Sequence, residues 1–492
     1  MRDFVSSKDY LNYKRKLVKE KKTSDKVELL NSLEELFDKC NIHDGMTLSF
    51  HHHLRNGDYV LNKCLEIIQK RNIKDISLAA SSIFPNNAIL ADLIKNGNVT
   101  NIYTNYINGP ASTAITDGYL KGEFIMNTHG GRGRSIESGE IKIDVAILGM
   151  PTVDKKGNGT GRFGKSACGS IGYAIPDSMY AKTVALVTDN YIDKIDNPEI
   201  DGKYTDYIVK IDSIGDAKGI VSGTTKITKD PVGLKIARDT AKLLDELGVI
   251  KDGFTMQTGA GGTSLAVASY VRKIMEEKGI KGRFATGGIT SYFVKMLEDG
   301  LLDELWDVQC FDLDAVESIN KNPNHHYMGA SLYANPFDPD VMVNKLDFAI
   351  LGATEIDLDF NVNVTTDSHG NIIGGSGGHS DVANGCGITV IVTNLIKSRM
   401  PIIKKHVLTI TTPGSDVDVL VTERGIAINP LRKDLLEKLK DTKLNIKTIE
   451  ELYELETSIV GKSKELKHSD EVVGYVMYRD GSIIDKLYKT NK

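Results

Sequence analysis

The sequence predicts an α/β protein made of two tandem copies of one unit, each a parallel sheet covered by helices on both faces. Three observations carry this. Short apolar runs alternate with longer amphipathic segments, the order expected of strands and helices in parallel sheets. Segments also recur. Asp144–Gly149 reads DVAILG and Asp347–Gly352 reads DFAILG, identical at five of six positions and 203 apart. DGMTL at Asp44–Leu48 returns as DGFTM at Asp252–Met256 after 208 positions, and Val187-Thr188 returns as Val392-Thr393 after 205. Matches in one order at nearly one offset mark an internal duplication. The length agrees, because 492 residues exceed a single core.

Residues 1–40 are charged and helical in pattern, an N-terminal extension. The first unit with its linker spans 41–245 and the second 246–492. In the first, strand Thr47–Phe50 leads into His51-His52-His53-Leu54-Arg55, then a helix from about Tyr59 to Arg71. The second opens alike: strand Phe254–Gln257, a small-residue loop through Gly262, and helix Thr263–Lys278 ended by Gly279. A helix over Pro231–Leu247 lies in the link. Two strand-like runs around Arg479-Asp480-Gly481 close the chain as a hairpin.

Composition excludes several classes. The hydrophobic fraction is 40%, the charged fraction 26% and the net charge −5, so no basic surface for nucleic acid is expected. Five scattered cysteines without a Cys-x-x-Cys pattern read as reduced thiols of a cytoplasmic protein. No apolar run reaches the ~18–20 residues of a membrane span, and the N-terminus is too charged for a signal peptide.

Chemistry concentrates in glycine loops and cationic clusters. Gly374-Gly375-Ser376-Gly377-Gly378, followed by His379 and Asp381, lets backbone N–H groups approach an anion or a developing negative charge. Gly259, Gly261 and Gly262 enter a helix, where free N–H groups could hold phosphate or form an oxyanion hole. A tight turn is the alternative for each. At the same place in the first unit stand His51, His52, His53 and Arg55, candidates for carboxylate binding at a helix start. Three consecutive histidines on extended chain cannot all reach one ion without a bend, so no metal is expected. His129, Arg132 and Arg134, in HGGRGR, form a second cationic loop suited to a polyacid or simply solvated. GTGRFGKS at Gly159–Ser166 matches the phosphate-loop pattern, but the following SACGSIGYAIP makes a poor helix; Gly161, Gly164 and Lys165 suit another phosphate-bearing ligand better than a nucleotide. Cys168 and Cys386 read as apolar filler. Glu355, in GATEID, is a candidate nucleophile, base or ion-pair partner.

HGGRGRSIESGEIKIDVAILG (His129–Gly149), GKSACGSIGYA (Gly164–Ala174), GATEIDLDFNVNV (Gly352–Val364), GGSGGHSD (Gly374–Asp381) and TTPGSDVDVLVTERG (Thr411–Gly425) resemble the citrate lyase alpha subunit family over nearly all of residues 40–490. The resemblance implies two tandem three-layer CoA-transferase-like domains. It implies exchange of the acetyl group of an acetyl thioester for citrate, within an oligomeric complex with a lyase (beta) subunit and an acyl-carrier (gamma) subunit. The thioester, on CoA or a phosphopantetheine arm, would be substrate; no tightly bound cofactor is implied. Many related transferases form a thioester on a glutamate. The matching segment is Ala285-Thr286-Gly287-Gly288, with Gly287 in the glutamate's place, which favours exchange through a mixed anhydride. A same-fold hydrolase or a transferase using Glu355 is the alternative.

Overall fold

A computed structural model describes residues 26–221, 226–259, 261–462 and 469–490. Two large sheets organise it. From one edge, the first runs Glu28–Leu30, Tyr207–Lys210, Thr183–Thr188, Val145–Gly149, Thr47–Phe50, Ile76–Ala80, Val99–Thr104, Phe124–Met126, Val472–Met477 and Ile483–Tyr488. The second runs, from the opposite sense, His325–Tyr327, Leu302–Cys310, Gly282–Ile289, Thr255–Thr258, Phe348–Gly352, Ile388–Val392, Val419–Thr422, Gly425–Ile428 and Ile446–Lys447. From Tyr207 to Met126 in one and from Thr422 to His325 in the other, the strands follow the same order and pair in parallel. The repeated sequence segments fall on corresponding strands. The inner strands are mostly buried, and Val145–Gly149, Phe348–Gly352 and Ile388–Val392 are largely apolar, as parallel strands covered on both faces tend to be.

Helices follow the expected positions closely. Val60–Arg71 ends on Asn72, at φ 54, and Gly262–Lys278 ends on Gly279, at φ 67. Pro231–Glu246 packs along Gly262–Lys278, so the link lies against the second sheet. Three features differ from the sequence expectation. Residues 1–25 of the extension lie outside the described residues, and of the remainder Glu28–Leu30 is an edge strand and Leu33–Lys39 a helix. The HGGRGR segment is no loop but the start of a helix, His129–Glu137, capped by the Thr128 hydroxyl. The closing hairpin pairs in parallel with Phe124–Met126 of the first sheet, not with the second.

The copies are clasped at one buried point. Asp381 begins a helix of the second copy and is fully buried. Its carboxylate accepts from the Thr128 hydroxyl at 2.8 Å and the Gly130 N–H at 2.9 Å, at the N-terminus of the first copy's helix. Arg479, from the closing hairpin, brings Nε to 3.7 Å of Asp381 and donates to Asn384 at 2.8 Å and to the Ala334 carbonyl at 3.2 Å. Beside the clasp the Gly377 N–H donates to Asn105 O at 3.0 Å and the His129 N–H to Gly377 O at 2.8 Å.

Burial pushes the Asp381 carboxyl up to about 6, against the pull of Arg479 and the donors around it. The folded value lies above the unfolded one of about 4. The proton is therefore held more tightly in the native state. That contribution to stability is complete below pH ~4 and is lost as pH rises to about 6. The urea midpoint of the parent protein is expected to fall relative to Asp381→Asn across that window, by an amount equivalent to roughly 2–3 kcal/mol; parallel pH profiles would contradict it.

Candidate active site at the junction of the copies

Ligand sites in parallel sheets lie beyond the carboxyl ends of the strands. Here those ends from both sheets contribute to one group of side chains. His52, just past Thr47–Phe50, reaches across the junction, with Nε2 at 2.9 Å from Gln309 Oε1 and Nδ1 at 2.7 Å from the Ser81 hydroxyl. Its ring stacks on Tyr173 at 4.8 Å, and Tyr173 meets the His129 ring at 4.5 Å. Gln257, in the central strand of the second sheet, donates to the Tyr333 hydroxyl at 2.8 Å. The guanidinium of Arg55 lies over Phe84 of the first copy at 5.5 Å and over Phe311 of the second at 5.0 Å.

Arg55 is the electrostatic centre of this group. Its backbone sits at φ 54, a left-handed conformation that costs a bulky residue roughly 1–2 kcal/mol. Burial lowers its pKa, partly offset by Tyr106 and Tyr173. Among the described residues its guanidinium has no carboxylate partner, and Nη1 is buried without any hydrogen bond. Other buried polar atoms without partners belong to residues at the strand ends and the loops beside them: Asn105 Oδ1, Gln257 Oε1, Thr258 Oγ1 and Ser376 Oγ. The neighbouring histidines are neutral. Burial lowers the pKa of His52 well below its usual range, and burial with Arg132 lowers that of His129 to about 3. With the Asn105 amide donating to Nδ1 at 2.8 Å, His129 keeps its proton on Nε2, the nitrogen nearest Gly377.

Other expected site residues have partners of their own. His51 hydrogen-bonds the Gly149 carbonyl at 2.7 Å, and burial and then His53 hold its pKa low. For His53 burial opposes charging, but Asp58 at 2.6 Å prevails and its pKa is raised. The three histidines therefore point three ways; among the described residues no cluster could hold a metal. Arg132 forms a bidentate pair with Asp177 at 2.7 and 2.8 Å, and Arg134 pairs with Glu140 at 2.5 and 2.7 Å; both guanidinium groups are buried. His379 hydrogen-bonds the Thr412 hydroxyl at 2.7 Å and Gly352 O at 2.9 Å, and burial lowers its pKa to about 4. Glu355 accepts from Ser368 at 2.7 Å and Asn363 at 3.2 Å, with the Lys404 ammonium at 3.5 Å.

The loops divide in the same way. In GTGRFGKS the Gly161 N–H donates to Glu199 at 3.0 Å, Gly164 O accepts from Ala167 N at 3.2 Å, and Lys165 Nζ donates to Asp212 O at 2.5 Å. The loop is folded against the Glu199 carboxylate from later in the chain, and no helix follows Ser166 directly. Gly374 O accepts from Ile107 N at 3.3 Å, and Gly375 packs on Asn105 and Tyr106 of the first copy. Gly259 N–H is taken by Ile350 O at 2.7 Å. Among the described residues, the N–H groups of Gly261, Gly262 and Gly378 have no acceptor, and helix Gly262–Lys278 has no side-chain cap. A cleft of about 1050 Å³ opens beside that helix start, lined by Lys226, Leu265, Thr290, Tyr292 and Lys295 among others. Sequence reasoning missed Gln257, Gln309, Tyr173 and Tyr333. Only Gln257 carried a signal, as a carboxamide in an otherwise buried-type strand.

Two duplicated parallel-sheet units that meet at their strand ends define the CoA-transferase-like class. The family model for the citrate lyase alpha subunit matches residues 26–490, so the chain belongs to that family. It is 43% identical to the citrate lyase alpha chain of Haemophilus influenzae, over 95% of this chain and 94% of that one. It is 44% identical to the alpha subunit of citrate lyase from Streptococcus mutans, solved in complex with citrate, with a TM-score of 0.93 over 96% and 94% of the two chains. A Pseudomonas malonate decarboxylase subunit, at 15% identity and a TM-score of 0.65 over 88% and 84%, shares the fold. As a member of the family the chain is a transferase component of a multisubunit lyase. Among the described residues no helix is long and apolar enough to cross a membrane.

Arg132 and Asp177 form a buried pair, so removing one partner strands the other charge. Arg132→Ala is expected to destabilise the fold by about 3–5 kcal/mol in urea unfolding; a change under ~1 kcal/mol would contradict the pairing.

Proposed function

We propose that the chain exchanges the acetyl group of an acetyl thioester for citrate, giving a citryl thioester and acetate. The thioester is carried by CoA or by the phosphopantetheine arm of an acyl-carrier subunit, and a lyase subunit then cleaves the citryl product. The observation that carries this is the half-buried guanidinium of Arg55, which has no carboxylate partner among the described residues and whose Nη1 is buried without a hydrogen bond. Such a site favours a carboxylate. The relative solved with citrate supports the choice of acid.

A citrate carboxylate is already ionised at neutral pH and needs no base. It attacks the thioester carbonyl; the C–S bond breaks and the thiolate leaves, giving a citric–acetic anhydride. The thiolate then attacks the citryl carbonyl and acetate leaves. Both steps pass through tetrahedral oxyanions that preorganised N–H groups stabilise. The free N–H groups at Gly378 and at Gly261–Gly262 are the donors we assign, and the cleft beside the latter suits the arm. Gly259 and Gly377 N–H groups are engaged elsewhere and take no part. Covalent exchange is less well supported: Gly287 has no side chain, and Glu355 is held by three partners.

The purified chain mixed with acetyl-CoA and citrate is expected to yield citryl-CoA by mass spectrometry, with no CoA adduct on the intact protein. An adduct would move the mechanism to a carboxylate. No product with acetyl-CoA or with the acetylated carrier would overturn the exchange reading. Arg55→Ala should raise the KM for citrate roughly 10–100-fold and that for the thioester far less; equal effects would remove the assigned role. At Gly378 a Cβ would stand 2.7 Å from the Tyr333 hydroxyl oxygen, so Gly378→Val should lower kcat at least ~100-fold; a variant with parental kcat would show that close approach there is not needed.

A further inference from the structure

We propose that Gln257 and Tyr333 together read the tertiary hydroxyl of citrate, and so set which acid the site accepts. The inference rests on the exchange reading above and adds a specificity-determining pair to it.

Gln257 is anomalous where it stands. It lies in Thr255–Thr258, flanked by strands on both sides, and is 7% exposed. A carboxamide buried there is costly unless both of its ends find partners. One end meets the Tyr333 hydroxyl at 2.8 Å, while Oε1 has no partner. Tyr333 is 2% exposed and accepts from Gln257, so its own proton has no acceptor among the described residues. If the amide is turned round, the oxygen takes that proton and an N–H is left over instead. At least one buried polar group remains unsatisfied in either orientation.

The fold makes room for this pair. Gly287 sits at a bulge with φ 98, and a Cβ there would stand 2.7 Å from the Gln257 carboxamide. Gly378 leaves space beside the Tyr333 hydroxyl, with His129 close by. The duplication supplies a control. The residue matching Gln257 at the 208 offset is Ser49, also buried in the central strand of its sheet. Its hydroxyl bonds Asp177, which is itself held by Arg132. The first copy closes this position with internal partners, and the second leaves Gln257 Oε1 without one.

A hydroxyl both donates and accepts. With the amide as described, the free acceptor of Gln257 and the free proton of Tyr333 match it on both counts; turned round, the pair offers a Gln257 N–H and the Tyr333 oxygen instead, whereas Arg55 can only donate. A site built to bond a hydroxyl discriminates strongly against an analogue without one.

The test compares citrate with tricarballylate, which has the three carboxylates and lacks the hydroxyl, in the thioester exchange assay. The parent should prefer citrate in kcat/KM. Tyr333→Phe and Gln257→Leu should each lower kcat/KM for citrate about 10–100-fold and leave that for tricarballylate within about twofold. A structural role would lower both acids together and shift the urea midpoint. Equal losses, no loss, or a parent that does not distinguish the acids would overturn the proposal. A parent that transfers to neither acid would instead overturn the exchange reading, and this inference with it.

Discussion

The structure depends on a carboxylate that one copy lends to the other. Asp381 caps a helix that is not its own, and Arg479 fixes it from a third segment near the end of the chain. Several parts of the candidate site span both copies: His52 bonds Gln309, Arg55 lies between Phe84 and Phe311, and Tyr333 and Gly378 of the second copy lie beside His129 of the first. Small displacements between the copies would separate these groups. A buried, multiply bonded clasp resists such displacement better than exposed ion pairs, which contribute little.

Duplication gave two equivalent sets of strand ends, and they have diverged. In the first copy the central strand end is sealed by Ser49, Asp177 and Arg132, and its glycine loop folds around Glu199. In the second, Gln257 and the start of Gly262–Lys278 keep unpartnered groups. The first copy still contributes Arg55 and His129. One half thus supplies charge and rigidity, and the other supplies backbone donors and neutral polar groups.

Most of the fold was legible in the sequence because it depends on local periodicity. Apolar runs marked the strands, Gly279 marked a helix end, and the echoes at offsets near 205 marked the copies. The sites were legible only in part. Charge in HGGRGR looked available because sequence does not show that Asp177 and Glu140 fold against Arg132 and Arg134. Its glycines looked like loop residues, but Gly130 packs on the carbonyl of Ala334 from the other copy. GTGRFGKS offered N–H groups without revealing that Glu199, beyond the loop, already accepts from the Gly161 N–H and the Thr160 hydroxyl. Arg55 could be singled out from sequence because it follows the end of strand Thr47–Phe50 closely, and periodicity marks that strand.

The closing hairpin carries a consequence for how the chain comes into being. Val472–Met477 completes the sheet begun by the first copy, beside Phe124–Met126. During synthesis, that edge waits uncovered while the whole second copy is made. An uncovered strand edge is a template for wrong pairing. The molecule therefore cannot mature one half at a time, as a simple tandem repeat could. Its hairpin strands act as a latch, so that a chain cut short upstream of them lacks both the edge cover and Arg479.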